Sequence, residues 1–139
     1  MDLNEFQYFA QLDTENMLSH IDALPDQLTA AYNLGLSLAL PVMAPVERII
    51  IAGMGGSAIG ADLIAAYLAD QLPVPFLVHR NYDLPAYAAG QHTLVVVSSH
   101  SGNTEEALSA FTTARDRGCQ LLAICTGGSL EEECRKAGI

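Results

Sequence analysis

Basic charge is scarce in this 139-residue chain: six Lys and Arg stand against sixteen Asp and Glu, a formal net charge of −10. A general nucleic-acid binder needs a basic face to neutralise phosphates, and this balance does not supply one. An anionic ligand would have to be held by local donors, since long-range attraction works against it. Cysteine is also scarce. Cys119, Cys125 and Cys134 form no pairing framework, and their spacing matches no metal template, so no metal is expected. Cys119 and Cys125 share the parity of Leu121 and Ala123, which reads as thiols of a buried strand. Three cysteines without a pairing framework fit a reduced, cytoplasmic protein. Long apolar runs are missing too: "AAYNLGLSLALPVMAPV" is broken by Gly35, Pro41 and Pro45, so no membrane span is expected. The acidic opening "MDLNEFQYFAQLDTEN" is unlike a secretory signal.

What is present suits a domain with a real core, because half of the residues are hydrophobic. Residues 2 to about 40 show apolar positions at helical spacing, Phe6, Phe9, Leu12 and then Met17, Ile21, Leu24. Pro25 interrupts, a helix restarts there, and Pro41 stops it. The rhythm then changes to strands alternating with helices. Strands are expected at 46–52, 74–79, 94–97 and 120–125, and helices at 58–72, 104–117 and 130–137. A Tyr- and Pro-marked loop fills 80–90. Aliphatic strands alternating with helices predict an α/β fold, a doubly wound parallel sheet with helices on both faces. The expected division is an N-terminal helical arm, 1–45, and the α/β domain, 46–139. One more strand would ordinarily follow "KAGI", so the last strand of the sheet is expected to be missing.

Two strand ends repeat one plan. "RIIIAGMGGSAIGADL" and "TLVVVSSHSGNTEEAL" each run from an aliphatic strand through Gly and Ser into a helix. At the first, Gly53, Gly55 and Gly56 allow a tight turn and close approach of a ligand, and Ser57 adds a hydroxyl. At the second, Ser99, Ser101 and Thr104 present hydroxyls around Gly102, and Asn103 opens the helix. Ligands of such folds sit at the carboxyl ends of strands, where helix N-termini offer free N–H groups and a positive dipole end. Converging amides and hydroxyls bind phosphate without basic side chains. Glu105 and Glu106 read as first-turn partners of the dipole rather than catalytic acids, and His100 as a loop residue without a catalytic role.

A second reading remains at this point. "GMGGSA" satisfies G-x-G-x-x-G/A between a strand and a helix, the dinucleotide fingerprint. The acid that should close the next strand is replaced by His79-Arg80-Asn81, with Asp83 displaced into the loop; an arginine there suits a 2′-phosphate, which keeps an NADP-binding oxidoreductase in view. That reading leaves the hydroxyl cluster at 99–104 unexplained.

"AGMGGSAIGADL", "RNYDLP", "SSHSGNTEEAL" and "AICTGGSLEEECRKAGI" together resemble the N-terminal sugar isomerase (SIS) domain of bifunctional phosphoglucose/phosphomannose isomerases. The resemblance implies a flavodoxin-like SIS fold. It implies that Gly55, Gly56 and Ser57 line the sugar side of a site and that Ser99, Ser101 and Thr104 hold a substrate phosphate, with Gly102 and Asn103 in the same loop. The implied activity interconverts glucose 6-phosphate or mannose 6-phosphate with fructose 6-phosphate, without a cofactor. The implied partners are a hexose 6-phosphate and a second copy of the chain. The family's Pro-Arg motif, its glutamate base, its ring-opening histidine and a further lysine have no counterpart here, so no catalytic residue is identifiable in this chain. A non-catalytic sugar-phosphate-sensing module would carry the same visible residues.

Overall fold

The computed structural model describes residues 6–139, which fall into two compact units with the break after Pro41. The first unit holds three helices: α1, Phe6–Leu12; α2, Met17–Asp22; and α3, Leu24–Ser37. Asp13 accounts for the start of α2, since its carboxylate accepts the amides of Met17 at 2.6 Å and Leu18 at 2.8 Å. Pro25 sits in the first turn of α3, where a missing N–H is harmless, and Asp26 complements the positive end of the helix. The helical pattern expected here is present, divided into three pieces; the expected helix over 2–5 lies outside the described residues. Among the described residues, no helix is long and apolar enough to cross a membrane.

The second unit, Val42–Ile139, is the α/β body. Its strands are β1, Arg48–Gly53; β2, Phe76–His79; β3, Thr93–Ser99; and β4, Gln120–Cys125. Its helices are α4, Gly55–Tyr67; α5, Glu105–Asp116; and α6, Gly128–Ala137. The four strands pair in parallel in the order β2-β1-β3-β4. From β1 the chain crosses outward to β2, and from β3 it crosses in the opposite direction to β4. Right-handed crossovers in opposite directions place α4 and α5 on opposite faces. The doubly wound expectation holds.

Alternation along the strands selects the core. In β3 every second residue from Thr93 to Ser99 is buried, as the period of two requires. Val95 and Val97 join Ile50 and Ala52 of β1 under one face of α5, made of Ala107, Ala110, Phe111 and Ala114. Leu130 and Cys134 of α6 close the same core. Phe111 is its largest fully buried side chain, and burial of a side chain of this size stabilises by about 1.5–3 kcal/mol. The three cysteines are free; Cys134 is buried, while Cys119 and Cys125 are half-buried, and Cys119 lies one residue ahead of β4.

No helix joins β2 to β3. The intervening loop instead drops Leu84 and Ala88 into the core and is tied down by polar contacts. The Arg117 guanidinium donates to Leu84 O at 3.1 Å and Pro85 O at 2.9 Å. Ser109 Oγ accepts from Asp83 N at 2.9 Å and donates to Asp83 Oδ1 at 3.1 Å. The "RNYDLP" stretch is therefore a strap fastened along α5.

Candidate functional site

Parallel strands bring all four carboxyl ends to one edge of the sheet. β1 and β3 are neighbours there, with Gly53 opposite Ser98, and from this point the chain crosses over in opposite directions. This is the switch point at which such sheets open a crevice. The crevice has a volume of about 540 Å³ and is lined by Met54, Gly56, Ser57, His100, Ser101 and Thr104. No Lys or Arg is among these residues.

The first wall follows from glycine. A Cβ on Gly53 would lie 2.8 Å from Ser98 O, so the two strand ends approach as only glycine allows. Gly55 takes φ +51 and turns the chain into α4; Gly56 and Ser57 face the crevice in its first turn. The helix begins at Gly55, three residues ahead of the expected Ala58, because the glycines taken for a turn already belong to it.

The second wall is the Ser99–Thr104 loop. Ser101 and Thr104 line the crevice, and Thr104 is the N-cap of α5. The first N–H groups of a helix have no acceptor one turn back, so the start of α5 supplies donors and a positive dipole end at this wall. Ser101 Oγ accepts the Asn103 amide at 3.2 Å and keeps its own proton to donate.

Of the residues expected to form the site, the structure brings Gly56, Ser57, Ser101 and Thr104 to the crevice wall. It does not bring Ser99, Gly102, Asn103 or Gly55 there. Ser99 is 2% exposed; its hydroxyl lies 2.9 Å from Thr104 Oγ1 and accepts Gly102 N at 3.1 Å. It points inward because it shares the parity of Val95 and Val97, and it braces the loop from below. The Asn103 carboxamide turns away to the start of α6, accepting Ser129 N at 3.0 Å and Ser129 Oγ at 3.1 Å. Gly102 packs against Gly127.

Two neighbouring charges, Glu105 and Arg80, are engaged elsewhere. Glu105 accepts the Tyr82 hydroxyl at 2.9 Å. That hydrogen bond, and then the carboxylate's charge, hold the Tyr82 phenol above its ordinary pKa of 10.0. Arg80 pairs with Asp62 of α4 and donates to Ala58 O at 3.5 Å. A guanidinium already neutralised by a carboxylate is poorly placed to receive a 2′-phosphate, which counts against the NADP reading. Sequence reasoning missed Met54 and the turn at 126–129. The signal for the turn was available, since "CTGGSL" is a third glycine-serine corner at a strand end.

Residues 43–137 match the family model of the SIS domain. The chain is 42% identical over 123 residues to the bifunctional phosphoglucose/phosphomannose isomerase of Caldicellulosiruptor bescii, a match covering 88% of this chain and 36% of that protein. To the protein of the same name in Thermoplasma volcanium it is 42% identical over 86 residues, covering 62% of this chain and 27% of that one. The crystal structure of tagatose-6-phosphate ketose/aldose isomerase from Escherichia coli superposes with a TM-score of 0.54 at 27% identity, covering 86% of this chain and 33% of that one. The chain thus spans about a third of the length of these relatives. With its parallel sheet, its glycine-serine corners and this match, the chain belongs to the SIS-domain family.

Proposed function

We propose that the crevice between β1 and β3 anchors a hexose 6-phosphate for an aldose–ketose isomerase. The reaction would interconvert glucose 6-phosphate or mannose 6-phosphate with fructose 6-phosphate. The observation that carries this reading is the pairing of hydroxyls and a helix N-terminus in one crevice without a basic side chain. Ser101, Thr104 and the first turn of α5 would receive the phosphate, and Gly56 and Ser57 would face the sugar. Ser99, Gly102 and Asn103 would serve that site from behind.

Aldose–ketose exchange moves a proton between C1 and C2 through an enediol, which requires a base near those carbons. Anchoring the distant phosphate contributes binding energy and fixes the reacting carbons in place. This chain's residues account for the anchor. Glu105 is bonded to Tyr82, and His100 stands beside the phosphate end, so neither is assigned to the base.

The same reading includes a homodimer in a reducing, cytoplasmic setting. Three free thiols support the compartment. Exposed Ile59, Leu63 and Tyr67, which form one stripe along α4, support self-association.

Calorimetric titration with fructose 6-phosphate, glucose 6-phosphate and NADP tests the proposal. Binding of the sugar phosphates, weakened in Ser101→Ala by about 1.5–3 kcal/mol for a lost hydrogen bond to a charged group, supports it. Preference for NADP, or a Ser101→Ala variant that binds like the parent, overturns it.

A further inference from the structure

The loop before α5 and the turn before α6 meet more closely than ordinary packing allows. Gly102, at φ +69, would carry a Cβ 1.8 Å from Gly127 O. Gly128, at φ +74, would place one 2.4 Å from Ser101 O and 2.9 Å from Asn103 Oδ1. Backbone meets backbone here, and both positions need the left-handed conformation that glycine adopts freely.

Hydrogen bonds close the same seam. His100 O accepts Thr126 N at 3.1 Å and Thr126 Oγ1 at 2.6 Å. Gly102 O accepts Leu130 N at 2.9 Å. Asn103 lies at the centre: Oδ1 accepts the amide and hydroxyl of Ser129, while Nδ2 donates to Ser101 O at 3.2 Å. The amides of Ser129 and Leu130 in the first turn of α6 are thereby spent on the loop. Two helices begin side by side, and the loop occupies the amides of one.

We infer that Asn103 is a positioning residue, and that the turn at 126–129 belongs to the phosphate-binding device although none of its residues lines the crevice. This rests on the reading of the crevice as a sugar-phosphate site. Ser101 is exposed and sits between His100 and Gly102, whose carbonyls are both held by the α6 side of the seam. The seam therefore fixes the loop before a ligand arrives. A loop left free would have to be ordered on binding, at roughly a tenfold loss of affinity for each backbone residue fixed.

The test is the affinity of the 139-residue chain for glucose 6-phosphate and for inorganic phosphate, with thermal melting recorded alongside. Asn103→Ala should weaken both ligands about tenfold, and Thr126→Val, which loses only the hydroxyl bond to His100 O, about threefold. Thr126→Ser keeps that hydroxyl and should restore parental affinity, which general damage to the fold would not permit. Thr126→Val also carries the test if Asn103→Ala does not fold. If Ser101→Ala weakens binding while Asn103→Ala and Thr126→Val bind like the parent, the inference fails and the phosphate site stands. If Ser101→Ala also binds like the parent, both fail together.

Discussion

The phenolic oxygen of Tyr82 lies 2.9 Å from Glu105 Oε2, so the loop after β2 is joined to the first turn of the helix that begins at the crevice. Hydrogen bonding and the nearby negative charge both favour the neutral phenol, and Tyr82 is raised above 10.0. A raised folded-state value means that the native state keeps its proton longer than the unfolded chain does. The contribution of this contact is complete below pH 10.0 and is lost as pH rises through the folded value. Spectrophotometric titration of tyrosinate should show Tyr82 ionising late, and earlier in Glu105→Gln. An unchanged titration in that variant contradicts the pairing.

Phe111 is fully buried against both sheet and helix residues of the core. Phe111→Ala should destabilise the α/β unit by about 3–5 kcal/mol, from lost transfer energy and the cavity left behind. Chemical denaturation measures this. A loss under about 1 kcal/mol would mean that α5 is not seated on the sheet as described.

Gly102→Ala tests the seam sterically. The new methyl would meet Gly127 O and hold a non-glycine residue at φ +69. The left-handed backbone alone costs about 1–2 kcal/mol, and the collision adds to it. Lower stability together with lost phosphate binding is expected; a variant with parental melting temperature and affinity would show that the seam is not closed in solution.

Much of this fold is legible in the sequence because burial follows simple periods. β4 falls where expected, and the other strands and helices differ from expectation by a few residues at their ends. The shift at the start of α4 has a clear cause: Gly55 and Gly56 have poor helix propensity, yet the turn they form is the first turn of the helix. The site is legible in composition and less so in direction. Ser99, Ser101 and Thr104 read alike as hydroxyl donors, but strand parity continues through Ser99 and sends it inward. Parity alone could have revealed that. Asn103 could not have been resolved the same way, since its partner Ser129 lies 26 positions along the chain and only the pairing of β3 with β4 brings them together.

Binding and chemistry should separate in this chain. Saturation with fructose 6-phosphate at a hundredfold excess over its dissociation constant should stabilise the fold by about 2.7 kcal/mol. A coupled assay from mannose 6-phosphate or glucose 6-phosphate should show no turnover, because no base is assigned among its residues. Turnover near about 10 s⁻¹ by pure material would point to His100 or Glu106 as a base supplied within an assembly.

The most direct test of the account is the position of the phosphate itself, in a crystal structure of the chain soaked with fructose 6-phosphate. The account predicts phosphate oxygens within hydrogen-bond distance of Ser101 Oγ, Thr104 and the first amides of α5, with the sugar running toward Gly56 and Ser57. A phosphate bound at the start of α6, beside Arg80, or anywhere outside the crevice would contradict it.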